Sequence, residues 1–268
     1  MNSNKTVLIT GASSGIGYEL TWLFARDGYN LVLVARSEQQ LQHMANELQE
    51  VHGVSVKVIV KDLALACAPG EIFAELQREN IQVDILANNA GFGNYGLFAE
   101  QDLSTELQML QVNMVALTHL TRLLLPEMLK KRSGKILNMA SAAAFEPGPL
   151  MAVYFATKAY VLSFSEALSN ELTGTGISVT VLCPGFTTTS FHKRAGADKS
   201  KMMKMPMMDP KTVARLGYRG LMNNKVIIIP GLFNNVMVQS LRLAPRALVR
   251  RVVTEFRHSH VSPYPFLT

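Results

Sequence analysis

Short, almost wholly apolar runs alternate along this chain with longer stretches whose apolar residues recur at helical spacing. KTVLIT at 5–10 is the first such run. GASSGIG breaks it, and YELTWLFARDG then reads as a helix closed by a glycine. NLVLVAR at 30–36 predicts a second strand, a Glu-, Gln- and Leu-rich stretch at 38–51 a helix, and SVKVIVKDL at 55–63 a third strand. APGEIFAELQREN predicts a further helix, and VDILANNAG at 83–91 a fourth strand running into a turn. A long helix follows at 102–131, with Lys130, Lys131 and Arg132 at its end, where the helix dipole favours cations. GKILNMAS at 134–141, a helix at 152–174 stopped by Gly174 and Gly176, ISVTVLCPG at 177–185 and KVIIIPG at 225–231 complete the series. Strands that are apolar throughout are buried on both faces, so the pattern predicts an α/β protein with a parallel sheet of about seven strands flanked by helices.

Two segments stand outside the alternation. Residues 186–211 have no clean period and are too long for an ordinary connection, so they read as a functional or a disordered loop. Met202, Met203, Met205, Met207 and Met208 in it suit an irregular apolar ligand, and Lys199, Lys201 and Lys204 an anionic head on that ligand. Residues 232–268 form a C-terminal extension that mixes Leu, Val and Met with Arg242, Arg246, Arg250, Arg251 and Arg257. Three readings of it stand open: an amphipathic segment on a lipid surface, a contact with a partner subunit, or a cover for the substrate pocket. No repeat or linker divides the chain, so residues 1–268 read as one domain.

Composition narrows the picture. At 268 residues and 48% hydrophobic, the chain can bury one large core. Residues 1–189 carry 12 Lys and Arg against 17 Asp and Glu, whereas residues 190–268 carry 14 against 3. That basic third suits an anionic substrate or lipid surface, or equally charge shared between subunits of an oligomer. Nucleic acid is excluded as a partner, because aromatic stacking platforms are not interleaved with the basic residues. Cys67 and Cys183 set no disulfide framework. With no secretory leader pattern and no apolar run long enough to span a bilayer, a cytoplasmic location is expected, with peripheral membrane association through the tail as the alternative.

The chemistry begins at TGASSGIG, residues 10–17, between a buried strand and a helix. Gly11 permits a tight turn, Gly15 lets the backbone approach a diphosphate, and Gly17 lets helix and sheet pack closely. The helix N-terminus beyond offers unpaired N–H groups to the anion. At the end of the second strand stands Arg36 rather than an acidic residue; an arginine there can pair with a ribose phosphate, which favours NADP(H) over NAD(H). Alternatively Arg36 is a surface residue and Ser37 a helix cap. Asp62 suits either an adenine amino group or another helix cap.

Four further residues share one chemistry. Ser141 ends the fifth strand, Tyr154 follows near the start of the next helix, and Lys158 lies one turn further on the same face. Asn113 sits among apolar residues of the long helix. Reduction of a ketone needs a proton at its oxygen, and a free phenol holds its proton too tightly for easy exchange near neutral pH. An adjacent ammonium lowers the phenol's pKa. Lys158 supplies that charge, Ser141 polarises the carbonyl, and Asn113 can hold a water linking Lys158 to solvent. No metal ligands are read from the chain.

These residues resemble the short-chain dehydrogenase/reductase family over roughly residues 5–231. The resemblance implies a Rossmann-type doubly wound fold, a catalytic tetrad of Asn113, Ser141, Tyr154 and Lys158, and a cofactor loop using Gly11, Ser13, Ser14, Gly15, Ile16 and Gly17. It further implies that NNAG, with Asn89, Ala90 and Gly91, supports the adenosine pocket, and that Pro184, Gly185, Thr187 and Thr189 meet the nicotinamide carboxamide. Tyr154 and Lys158 also count among the cofactor contacts. NNAGFGNYGLF at 88–98, Arg36 and the C-terminal extension are similar to the branch of DltE-like ketoacyl reductases and hydroxysteroid dehydrogenases. The resemblance implies NADP(H)-dependent interconversion of a hydrophobic ketone or aldehyde and its alcohol, with residues 186–211 as a lid over the substrate, in a homodimer or homotetramer. An epimerase or dehydratase on the same fold and a non-enzymatic dinucleotide sensor are the alternatives.

Overall fold

The structure, a computed structural model, describes residues 4–197 and 207–243, together with Pro245, Val249 and Val253. Seven parallel strands form one sheet: β1 (Thr6–Thr10), β2 (Asn30–Ala35), β3 (Val56–Val60), β4 (Ile85–Asn88), β5 (Gly134–Met139), β6 (Ile177–Leu182) and β7 (Ile227–Ile228). Their spatial order, β3-β2-β1-β4-β5-β6-β7, reverses direction between β1 and β4. Open α/β sheets bind ligands at that reversal, outside the carboxyl ends of the strands. This is the Rossmann-like architecture.

Alternate residues of each strand serve opposite faces, which explains why the strands are apolar throughout. Val7, Ile9, Leu31 and Leu33 pack against α1 (Gly15–Arg26), α2 (Glu38–His52) and α8 (Pro210–Met222), in a core that includes Phe24, Leu48 and Leu221. Leu8, Val32, Leu86, Ile136 and Val179 point the other way, toward α3 (Ala68–Arg78), α5 (Leu117–Lys131) and α6 (Ala152–Glu171). Between β4 and α5 lies α4 (Leu103–Leu110), and α7 (Phe191–Arg194) and α9 (Leu232–Leu243) complete the helices used below.

Three boundaries differ from the sequence pattern. The helix expected over 102–131 runs as α4, a π-helical turn at Gln111–Ala116, and α5. Such turns hold an extra residue and favour functional sites, and Asn113 lies in this one. The strand expected at 225–231 pairs only at Ile227 and Ile228, because Pro230 has no N–H to donate and Gly231, at φ +88, turns the chain into α9. Helix α8 starts within the last residues of the expected lid; Asp209 caps it, accepting from Thr212 N at 2.8 Å, and Pro210 occupies its first turn.

Candidate active site

The glycine loop connects β1 to α1 at the reversal point. Gly11 has φ +65, which only glycine adopts without strain, and a Cβ there would lie 2.9 Å from the Ala90 Cα. A Cβ on Gly17 would meet the Gly11 carbonyl oxygen at 2.3 Å and Asn89 Nδ2 at 2.4 Å. Asn89 holds the loop from the β4 side, donating to the Thr10 and Gly11 carbonyls at 3.0 and 3.2 Å. Thr10 Oγ1 returns the contact by accepting from the Asn89 and Ala90 amides at 3.1 and 3.0 Å. The loop is thus clamped by side chains that leave its outer face to a cavity of about 1170 Å³.

That cavity runs over the carboxyl ends of the strands. Gly11, Ser13, Ser14, Gly15, Ile16, Arg36, Asp62, Asn89, Ala90 and Gly91 line one half of it. Ser141, Tyr154, Lys158, Pro184, Gly185, Thr187 and Thr189 line the other. Gly17 and Asn113 stand behind the wall: Gly17 admits Asn89, and Asn113, 1% exposed, braces the backbone after β4. Asn113 Nδ2 donates to the Phe92 carbonyl at 2.9 Å and to Thr157 Oγ1 at 3.1 Å, while its Oδ1 accepts from Phe92 N at 3.1 Å. Both amide protons are therefore used by protein, so a water held by this side chain has only the second lone pair of Oδ1 to bind.

Arg36 projects into solvent at the end of β2, its guanidinium 3.9 Å from Asp62 Oδ2. Ser37 holds the N-cap position of α2 without a side-chain hydrogen bond to it. Asp62 Oδ1 accepts from Ala64 N at 3.0 Å, which closes a local turn after β3; the helix-cap reading fails, because Cys67 holds the N-cap position of α3, and Asp62 lines the cavity. Gln40 and Lys61 line the same end, which sequence reading missed.

At the other end, Ser141 has an extended backbone and caps the short turn Ala142–Phe145, accepting from Ala143 N at 3.1 Å. Its hydroxyl donates toward the Pro184 carbonyl at 3.4 Å, joining the ends of β5 and β6. Tyr154 is 9% exposed, set edge-on to Phe155 and tilted against Phe191. Lys158 is buried, 5.7 Å from the centre of the Tyr154 ring, and donates to the Met139 carbonyl at 2.8 Å. Of its three N–H donors, that is the one with a partner among the described residues. Burial pushes the Lys158 pKa down to about 8. Burial also raises the neighbouring Cys183 thiol to about 12, so it stays neutral beside the ammonium.

Phe92, Met151, Phe155, Phe186 and Phe191 wall the region beyond Tyr154, with Gln108, Glu146 and Arg194 as polar exceptions. Helix α9 closes it: Asn234, Met237 and Leu241, spaced along one helix face, line the cavity, as do Val249 and Val253. Of the three readings of the C-terminal extension, the described residues realise the cover for the pocket. The aromatic wall was missed from sequence because its members come from four separate segments; the spacing of 234, 237 and 241 was a usable signal. Lys199, Lys201, Lys204, Met202, Met203 and Met205, and Arg246, Arg250, Arg251 and Arg257, lie outside the described residues, as does the Arg242 side chain.

The glycine cradle, the cation at the end of β2 and the buried cation at the far end fit an elongated dinucleotide. The family model for the short chain dehydrogenase matches residues 5–200. This chain belongs to the short-chain dehydrogenase/reductase family. Among curated relatives of this dehydrogenase, Ketoacyl reductase HetN of Nostoc sp. is 32% identical over 230 residues, covering 85% of this chain and 78% of that protein. Mouse 17-beta-hydroxysteroid dehydrogenase type 3 is 36% identical over 189 residues, covering 69% of this chain and 61% of its own length. A Sphingobium yanoikuyae short-chain dehydrogenase solved in complex with NADPH superposes with a TM-score of 0.82 at 32% identity, covering 96% and 98% of the two chains. The protein is accordingly an oxidoreductase of that family.

Proposed function

We propose that this dehydrogenase interconverts a hydrophobic ketone or aldehyde and its alcohol with NADP(H) as the preferred cofactor. The observation that carries the reading is the convergence of Ser141, Tyr154 and Lys158 on the cavity that also exposes the glycine loop. When bound, the nicotinamide supplies or accepts a hydride. The Ser141 hydroxyl donates to the carbonyl oxygen and holds it in place. The Tyr154 hydroxyl delivers the proton as negative charge develops there, and takes it back in the oxidative direction. The Lys158 ammonium stabilises the phenolate, and its unused N–H donors hold the cofactor ribose. Asn113 keeps Gly91 and Phe92 against the site. Arg36, Gln40 and Lys61 favour a phosphorylated ribose, and Phe155, Phe186 and Phe191 exclude water.

An apolar wall of five aromatic and thioether side chains supports a greasy substrate. The ketoacyl reductase relative supports a carbonyl on an acyl chain. Arg194 lines the cavity and offers a cation to an anionic head on the substrate. Exposed Leu103, Leu107 and Val115 on α4 and the turn after it support a homo-oligomer, checked by light scattering of the wild type and of Leu107→Glu. Exposed Leu232, Phe233 and Val236 on α9 support peripheral lipid contact, checked by sedimentation with anionic vesicles. No described helix is long and apolar enough to cross a membrane.

The deciding assay is oxidation of NADPH and of NADH against aliphatic, aromatic, steroid and β-ketoacyl carbonyls, with Tyr154→Phe alongside. Turnover that prefers NADPH and vanishes in the variant supports the proposal. Tight cofactor binding without turnover on any carbonyl would return the chain to the sensor reading.

A further inference from the structure

Asn234, on the first turn of α9, lies flat on Gly185. A Cβ built on Gly185 would meet Asn234 Nδ2 and Oδ1 at 2.5 Å each, so the glycine is what admits the amide. Asn234 Nδ2 donates to the Pro230 carbonyl at 2.7 Å, within 3.9 Å of Met208 Sδ. A carbonyl takes only a donor, so this bond orients the amide and leaves Oδ1 as its other end. Oδ1 has no donor among the described residues, and Asn234 lines the cavity. Its platform is firm: Met208 N donates to the Phe186 carbonyl at 2.9 Å, and Thr188 N to the Met208 carbonyl at 2.9 Å.

The location gives the acceptor a task. Arg36 and Asp62 stand at the ends of β2 and β3, the glycine loop at the end of β1, and Ser141 and Gly185 beyond β5 and β6. A dinucleotide with its diphosphate on the glycine loop and its phosphorylated ribose at Arg36 directs its nicotinamide toward β5 and β6. The Ser141–Pro184 contact at 3.4 Å joins the carbonyl-positioning hydroxyl to the same turn that Asn234 covers. The nicotinamide carries a carboxamide, whose N–H protons need an acceptor once removed from water.

We infer that Asn234 is a cofactor-positioning residue whose Oδ1 accepts a hydrogen bond from the nicotinamide carboxamide, making the C-terminal helix part of the cofactor site. This rests on the dinucleotide reading above. An acceptor fixed there also fixes which way the ring is turned, and so which face presents its hydride.

The test compares NADPH with 2′-phospho-ADP-ribose, which lacks the nicotinamide, by calorimetry on the full chain. Asn234→Ala is expected to weaken NADPH about three- to tenfold, the usual effect of one neutral hydrogen bond, and to leave 2′-phospho-ADP-ribose unchanged. Asn234→Asp keeps the acceptor and loses the donor to Pro230, so it should retain most of the NADPH affinity even if its Tm falls. Equal weakening of both ligands by Asn234→Ala, or no weakening of either, overturns the inference and leaves the dinucleotide site standing. An unchanged NADPH affinity with a raised KM for the carbonyl overturns it in favour of a substrate contact. Failure of the wild type to bind either ligand would overturn the dinucleotide reading itself.

Discussion

Lys158 donates to the Met139 carbonyl at 2.8 Å while its ammonium lies 5.7 Å from the centre of the Tyr154 ring. Two constraints place it there: helical spacing puts the two side chains on one face of α6, and the end of β5 provides a carbonyl that holds the buried cation. The low pKa that burial imposes, about 8, brings the charge state of this lysine close to the neutral range.

A pH profile follows. A lysine is cationic below its pKa, so the charge proposed to assist Tyr154 is present below about pH 8 in the free enzyme and lost above it. Reductive kcat/KM, which reports groups of the free enzyme, is expected to fall above about pH 8. Lys158→Arg keeps its charge, and its residual activity should lose that alkaline limb. A limb that stays in place in the arginine variant assigns it to another group.

Tyr154→Phe removes the proposed proton donor and little volume. Its kcat/KM should drop by roughly 10²- to 10⁴-fold, the range for a positioned acid or base. NADPH affinity measured by calorimetry should change by less than about twofold. A variant that keeps its rate would place the proton donor elsewhere.

Arg36 is exposed, and its contact with Asp62 at 3.9 Å contributes little to stability. Arg36→Ala should leave Tm unchanged and lower kcat/KM with NADPH about ten- to a hundredfold, as expected for a lost charge-assisted bond. NADH turnover should hold. Equal loss with both cofactors would mean that Arg36 does not read the ribose phosphate.

Gly17→Ala drives a methyl to 2.3 Å from the Gly11 carbonyl oxygen. Overpacking of this kind costs roughly 1–3 kcal/mol, and the loop that must shift is the one proposed to hold the diphosphate. Lower Tm by scanning calorimetry together with weaker cofactor binding is expected. A normal Tm would show that the loop has slack that the Asn89 clamp does not suggest.

Asn113→Leu strips both hydrogen bonds from the Phe92 backbone inside a buried site. Each group left without a partner costs roughly 1–3 kcal/mol, so Tm should fall by several degrees. Loss of rate without loss of Tm would instead favour a water held by this residue.

Much of this was legible in the sequence because it depends on neighbours along the chain. Period separates strand from helix, three glycines mark a strand–turn–helix junction, and a spacing of four sets Tyr154 above Lys158. The same local logic located Arg36 and Ser141 at strand ends, where parallel sheets present their ligands. Tertiary structure decided what depends on contacts distant in sequence. The π turn places Asn113 behind Gly91, a position that apolar periodicity cannot register because it hides one extra residue. The aromatic wall assembles from residues 92 to 191, each ordinary in its own segment. Pro230 and Gly231 end β7 early and send α9 across the cavity, and only there does Asn234 meet Gly185, from 49 positions away. Local pattern reports which face of an element is buried; what covers that face is settled by packing.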